Sequence, residues 1–199
     1  MYNMDITGTK WTIFKTAVDE FAAKGYNNVS VRDIAGLVKI KSSSIYYYFE
    51  SKEALLETLY EFYDHYYGHF MPPLEPLLLS VGKVPPKEIL NKMLFRFDPS
   101  IQDIMDKILL IASTQLYCDP RADELIHKNM FELSEMRLRA VLNRMVEAKV
   151  IKPLDIDAFV LLLTSFCHSA SLRMRTSFPI EWDEWVKGVD SLFERIEEI

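Results

Sequence analysis

Apolar residues recur three and four positions apart along nearly the whole chain, the spacing of one face of an α-helix. The first stripe is Ile13, Phe14, Ala17, Val18 and Phe21, which predicts a helix from about Thr9 to Lys24. Gly25 follows directly and reads as a left-handed C-terminal cap. Ser30-Val31-Arg32-Asp33 has the form of a capping box, with Ser30 as cap and Asp33 at the third helical position. The helix it opens carries Ile34, Ala35 and Val38 and is short. A tight turn at Lys39-Ile40-Lys41 leads to Ser42-Ser43-Ser44-Ile45-Tyr46-Tyr47-Tyr48-Phe49. Ser51 then caps a longer helix from Lys52 to about Phe70, with Glu53 near its positive end.

Prolines punctuate the rest. Met71-Pro72-Pro73 and Pro76 predict a break, and Pro85-Pro86, Pro99 and Pro120 each predict a helix start, where a missing N–H costs little. The resulting helices end near Phe97, Tyr117 and Lys149, and two more follow at roughly 155–175 and 181–198. About nine helices result, with scarce strand signals, only six glycines and no internal repeat. The expected fold class is all-α: an N-terminal three-helix head with a helix-turn-helix, and a C-terminal helical domain.

Composition changes this picture little. Of 199 residues, 49% are apolar and 26% charged, an ordinary globular balance. No stretch approaches the roughly 18 consecutive apolar residues of a membrane-spanning helix, and Met1 to Lys10 does not read as a secretory signal. Cys118 and Cys167 are too few for a disulfide framework, so a cytoplasmic address is expected. Charge matters more when counted by region. The net value is −6, yet residues 1–52 hold seven Lys/Arg against five acids, and the remainder 16 against 24. The head is mildly basic on an acidic protein.

Two short helices joined by a tight turn, the second carrying small hydroxyls and aromatics, describe a helix-turn-helix. Its second helix fits the major groove of B-DNA, about 12 Å wide. Lys41, Ser42, Ser43 and Ser44 lie on the first turn of that helix and Tyr46 and Tyr47 on its body. Serines let the backbone approach base edges without dictating a base; lysine and tyrosine hydroxyls suit phosphate oxygens. Ser30, at a helix N-terminus, is a candidate phosphate site. Taken alone, these residues also fit blander roles. A serine-rich turn is often only a cap, Ile45, Tyr48 and Phe49 suit a core, and Lys52 suits a solvated surface.

Residues Ile13 through Leu56 resemble the DNA-binding head of the tetracycline-repressor (TetR) family. The shared string runs Ile13-Phe14, Ala17, Phe21, Gly25-Tyr26, then Ser30-Val31-Arg32-Asp33-Ile34-Ala35, then Ile40, Ile45-Tyr46-Tyr47-Tyr48-Phe49, and Ser51-Lys52-Glu53 with Leu55-Leu56. The resemblance implies that Ser30 and Arg32 touch DNA backbone and that Lys41 to Ser44 face bases. It implies that Tyr46 and Tyr47 meet phosphate or a thymine methyl, and that Lys52 binds phosphate. Two departures stand out. The family's turn carries glycine where this chain has Lys39, and a lysine at positive φ there costs roughly 1 kcal/mol, unless the turn differs. Lys41 and Ser43 stand where a hydroxyl and a glycine are common, so base preference does not carry over.

The resemblance further implies domains at 1–52 (DNA binding) and 53–199 (effector binding and dimerisation), and a homodimer on a palindromic operator. Residues Ile156, Phe159, Val160, Leu163, Cys167 and Ala170 share one face of their helix, and Trp185, Val189, Leu192, Phe193 and Ile196 share another; both are expected at the dimer interface. Phe62, Tyr66, Met93, Phe97, Tyr117, Phe131 and His168 are candidates to line a pocket for a lipophilic small molecule. His65 and His69 have metal-capable spacing without a completing ligand, so no metal and no cofactor are expected. The chain lacks a phosphate-binding glycine loop, a nucleophile elbow and a zinc-hydrolase motif, which argues against an enzyme. The expected function is a bacterial, nucleoid-associated repressor released from DNA by ligand. The alternative is a regulator or adaptor of the same fold without a small-molecule effector.

Overall fold

The computed structural model describes residues 6–94, 99–173 and 181–197. Phe97 lies outside the described residues, as do the side chains of His69, Met130, His168, Ala170, Trp182 and Ile196. The helices are α1 (Gly8–Lys24), α2 (Val31–Val38), α3 (Ser42–Ile45), α4 (Lys52–Phe70), α5 (Leu74–Ser80), α6 (Pro86–Leu94), α7 (Pro99–Gln115), α8 (Pro120–Ile126), α9 (Ser134–Glu147), α10 (Ile156–Arg173) and α11 (Trp182–Glu197). A 3-10 turn spans Tyr26–Asn28 and a π-helical segment spans His127–Leu133. The class is all-α; among the described residues the sole β-type pairing is an isolated Val81–Val84 bridge.

The chain forms two compact units. One comprises Met1–His69 and Phe97–His127, the other Phe70–Arg96 and Lys128–Ile199. In the first, α1 packs against α2 and α7, and α7 packs against α8. Its core is the predicted stripe: Ile13, Phe14, Ala17 and Val18 are wholly buried, joined by Phe21, Ile34, Ala35, Ile45, Leu55 and Leu59. Two ion-pair clusters cross its surface. The Lys107 ammonium on α7 reaches Asp19 on α1 at 2.7 Å and Asp103 at 2.6 Å. Asp119 caps α8 by accepting from the Arg121 backbone N–H, and the Arg121 guanidinium forks back onto the same carboxylate at 3.0 and 2.9 Å. Arg121 Nη1 also lies 3.6 Å from Glu57 on α4.

In the second unit α9 packs against α10 and α5, and α6 against α11. Val141, Leu142, Met145, Ile151, Val160, Leu163, Val189 and Phe193 form the centre of its core. Gly188 admits Phe166 so closely that a Cβ there would lie 3.2 Å from the ring.

Three elements differ from the expectation. Leu74–Ser80 is helical despite Pro76, because that proline falls in the first turn, where the backbone N–H has no intrahelical partner to lose. The single helix expected from Pro120 to Lys149 is α8, the π-helical segment and α9; within it, the Ser134 hydroxyl donates to the Asn129 carbonyl five residues back. Gly25 ends α1 with φ 83° and ψ 141°, positive in φ but extended rather than left-handed helical.

Candidate nucleic-acid interface

The segment from Ser30 to Lys52 builds the site by short-range rules. Ser30 closes the expected capping box. Its hydroxyl accepts from the Asp33 N–H at 3.3 Å, while its own N–H and hydroxyl donate to Asp33 Oδ2 at 2.8 and 2.6 Å. The Ser30 hydroxyl and backbone N–H hold the Asp33 carboxyl below its ordinary value. Both donors that a phosphate would use at Ser30 are therefore engaged by a carboxylate.

Helix α2 ends in a Schellman motif. Lys39 takes φ 61° and ψ 41°, its N–H donates to the Gly36 carbonyl at 3.2 Å, and the Ile40 N–H donates to the Ala35 carbonyl at 3.0 Å. The left-handed turn is thus made with lysine in the place of glycine.

Lys41 is the N-cap residue of α3 and is exposed. Helix α3 is only four residues long, and Tyr46–Tyr48 continue as a turn, with the N–H groups of Tyr48 and Phe49 both donating to the Ile45 carbonyl at 2.9 Å. So short a helix has no stability of its own. Ile45 and Phe49, both buried, pin it to the core. Around these anchors Ser43 is exposed, Ser42, Ser44 and Tyr48 are half-buried, and Tyr46 and Tyr47 are 53% and 84% exposed. Two large aromatics left in water beside a basic turn are an uncommon surface feature. Arg32 is exposed on α2. The Lys10 ammonium, from the first turn of α1, lies 5.5 Å from the Phe49 ring centroid.

Lys52 is held differently from the expectation. Its ammonium donates to the Tyr26 carbonyl at 2.6 Å, 4.0 Å over the Tyr26 ring and 5.7 Å from the Phe21 ring centroid. Burial pushes its pKa down. The Tyr26 hydroxyl donates to Glu53 Oε1 at 3.4 Å, and burial, then Glu53, push that phenol up to about 12. Glu53 is drawn below its ordinary value by its own backbone N–H and the Ser51 hydroxyl. Tyr26 and Glu53 both stand in the shared string, but nothing local in the sequence signals a clamp across 26 residues.

The expected ligand-lining residues are divided between the two units. Phe62 is buried in the first unit among Phe14, Trp11 and Tyr66, with ring centroids 4.8, 5.9 and 4.3 Å away. Tyr66 is half-buried, and Tyr117, in the same unit, is fully exposed. Met93 and Phe131 belong to the second unit, the former packed against its core and the latter 42% exposed.

The described residues expected at the dimer interface pack within one chain. Val160, Leu163, Trp185, Val189 and Phe193 are buried within a single chain, and Ile156, Phe159, Cys167 and Leu192 pack against that core. These residues form the inward face. The outward face of α10 is Ala158, Leu161, Leu162, Ser165 and Ser169, all exposed, with Leu161 at 60% and Leu162 at 67%. A helix that is apolar nearly all round does not reveal its inner side by periodicity. On α11 the exposed described positions are polar: Asp183, Glu184, Lys187, Ser191, Glu194 and Arg195.

Among the described residues no helix is long and apolar enough to cross a membrane.

Residues 13–59 match the family described as "Bacterial regulatory proteins, tetR family". The HTH-type transcriptional regulator YerO of Bacillus subtilis is 31% identical over 107 residues, which is 54% of this chain and 36% of YerO. The Staphylococcus aureus protein named as biofilm operon icaADBC HTH-type negative transcriptional regulator IcaR is 42% identical over 45 residues, 23% of this chain and 24% of IcaR. The chain thus spans well under half the length of either relative. Among solved structures, the ketosteroid transcriptional regulator KstR2 of Mycobacterium tuberculosis superposes with a TM-score of 0.72 at 19% identity, over 98% of both chains.

Proposed function

From the match of residues 13–59 to the tetR family of bacterial regulatory proteins, we propose that the chain is a sequence-specific DNA-binding transcriptional regulator that acts as a homodimer. The carrying observation is the recognition segment. Ile45 and Phe49 anchor it, while Ser43, Tyr46 and Tyr47 face solvent beside the basic turn at Lys39 and Lys41. Arg32, Lys41, Ser42, Ser43, Ser44, Tyr46 and Tyr47 form the contact set, with Ser30 acting as helix cap and Lys52 as an internal clamp. A head with so small a charge excess binds weakly as one copy. Two heads about 34–36 Å apart, or a multiple of that, engage a palindromic site together. The exposed Leu161–Leu162 face of α10 is the surface for the second copy. The negative regulation named for IcaR favours repression as the output.

The second part of the reading is that an apolar small molecule bound by the helical domain lowers operator affinity through a two-state coupling. On this reading the protein works in the cytoplasm, where the DNA is.

Selection from a random duplex library tests the first part. Enrichment of a palindrome, lost in the Tyr46→Ala, Tyr47→Ala double variant, is expected. Recovery of unenriched sequence, or equal binding by the folded double variant, would overturn it. A thermal-shift screen tests the second part, since a ligand of the folded state raises its melting temperature by mass action.

A further inference from the structure

We propose that Lys39 is a DNA-backbone contact: its ammonium binds a phosphate beside the recognition segment, and the strained turn that presents it is retained for that reason. This rests on the reading of the head as DNA-binding and names a residue outside the contact set above.

Three observations carry it. First, the backbone gives no reason for a lysine. Position 39 is left-handed, at φ 61°, and glycine would close the same two Schellman hydrogen bonds without the strain of a Cβ. A side chain kept at a sparsely populated φ/ψ raises the question of what else it does there. Second, the ammonium is available. Lys39 is exposed, and its ammonium makes no hydrogen bond or ion pair among the described residues. In the same head Lys24 is paired with Glu20 at 2.5 Å and Lys52 is held by Tyr26. Third, the place suits an anion. Residues 34–49 contain Lys39 and Lys41 and no acidic residue, so the whole excess of +2 in residues 1–52 resides in the turn and recognition segment. Two exposed like charges separated by Ile40 repel one another until a polyanion arrives.

A rival explanation is that a cation at the C-terminus of a helix favours the helix dipole. The structure contains its own control. Lys149 ends α9 in the same way, at φ 55°, with its N–H on the Val146 carbonyl at 3.0 Å and the Val150 N–H on the Met145 carbonyl at 3.0 Å. Lys149 lies outside the head. If both lysines serve only their helix ends, their replacement has the same consequences.

The experiment compares wild type, Lys39→Gly, Lys39→Asn, Lys39→Arg and Lys149→Gly in the full chain. Melting temperature is read alongside the salt dependence of binding to a mixed-sequence duplex, because backbone contacts carry no sequence information. Lys39→Gly and Lys149→Gly are both expected to melt higher, by roughly 2–4 °C. Only Lys39→Gly and Lys39→Asn are expected to bind more weakly, by roughly fivefold per head at about 0.15 M salt, with the log–log salt slope shallower by about 0.9 per head. Lys39→Arg keeps the wild-type slope. Wild-type affinity and slope in folded Lys39→Gly overturns the proposal, as does an equal loss in Lys149→Gly. A wild-type chain that binds no duplex at low salt overturns the DNA reading itself, a result distinct from either.

Discussion

The Lys52 ammonium donates to the Tyr26 carbonyl at 2.6 Å and lies 4.0 Å above the ring of the same residue. One lysine at the start of α4 thus fixes the turn that follows α1. A hydrogen bond from a charged group contributes more than a neutral one, and the cation–π contact adds to it. Lys52→Met keeps the stem and removes the charge. It is expected to destabilise the protein by about 1–2 kcal/mol in urea unfolding, with the slope of the transition unchanged. An unaltered midpoint would mean that the clamp does not hold in solution.

Alkaline titration should weaken the fold through Tyr26 and Cys167. Burial and Glu53 raise the Tyr26 phenol from 10.0 to about 12, and burial raises the Cys167 thiol from 9.0 to about 12. Both groups keep their protons longer folded than unfolded. Their contributions are complete below the unfolded values and are lost as pH climbs, from 9 upward for Cys167 and from 10 upward for Tyr26. Tyr26→Phe should flatten the fall in urea midpoint between about pH 10 and 12. A fall of undiminished slope in that variant assigns the loss to other groups.

The two thiols should separate by reactivity. Cys118 is exposed, and Cys167 packs against the core of the second unit with its thiolate disfavoured by burial. An aromatic disulfide reagent at about pH 8 is expected to titrate one thiol per chain quickly and the other only after urea is added. Cys118→Ser should abolish the fast phase; loss of the slow phase instead would reverse the assignment.

Leu161 and Leu162 provide the test of the dimer. Burying the remaining exposed area of two leucines against a second copy contributes on the order of 2–4 kcal/mol per chain, and a charge in each place removes it and adds desolvation. The Leu161→Glu, Leu162→Glu variant is expected to sediment near 23.2 kDa with an unchanged far-ultraviolet spectrum, and wild type at twice that mass. A double variant that still sediments as a dimer places the interface elsewhere.

What the sequence reveals about this molecule follows the range of the forces involved. The Ser30–Asp33 box depends on close neighbours in the chain and is legible, whereas the positive φ of Lys39 is suggested only by the family resemblance, which leaves the turn open. The core stripe of α1 is legible because one face is apolar and the other is not. The inner side of α10 is not, since Leu161 and Leu163 are equally apolar and only packing against α9 separates them. Lys52 reads alone as a solvated lysine, and as a phosphate ligand only through the resemblance, because its partner is 26 residues away. The π-helical turn at His127–Leu133 escapes notice because neither proline nor glycine marks it in the sequence.

The four-residue length of α3 has a bearing on how such a protein changes over generations. The shape of this helix and the turn after it comes from Ile45 and Phe49, and the outward chemistry from Ser43, Tyr46 and Tyr47, which share none of their burial. Substitutions at the outward positions leave the fold's stability nearly untouched. On the proposed DNA-binding reading, a lineage can therefore explore new binding sites one residue at a time while the scaffold remains under separate selection, and duplicated copies can part company in what they read before they differ in how they fold.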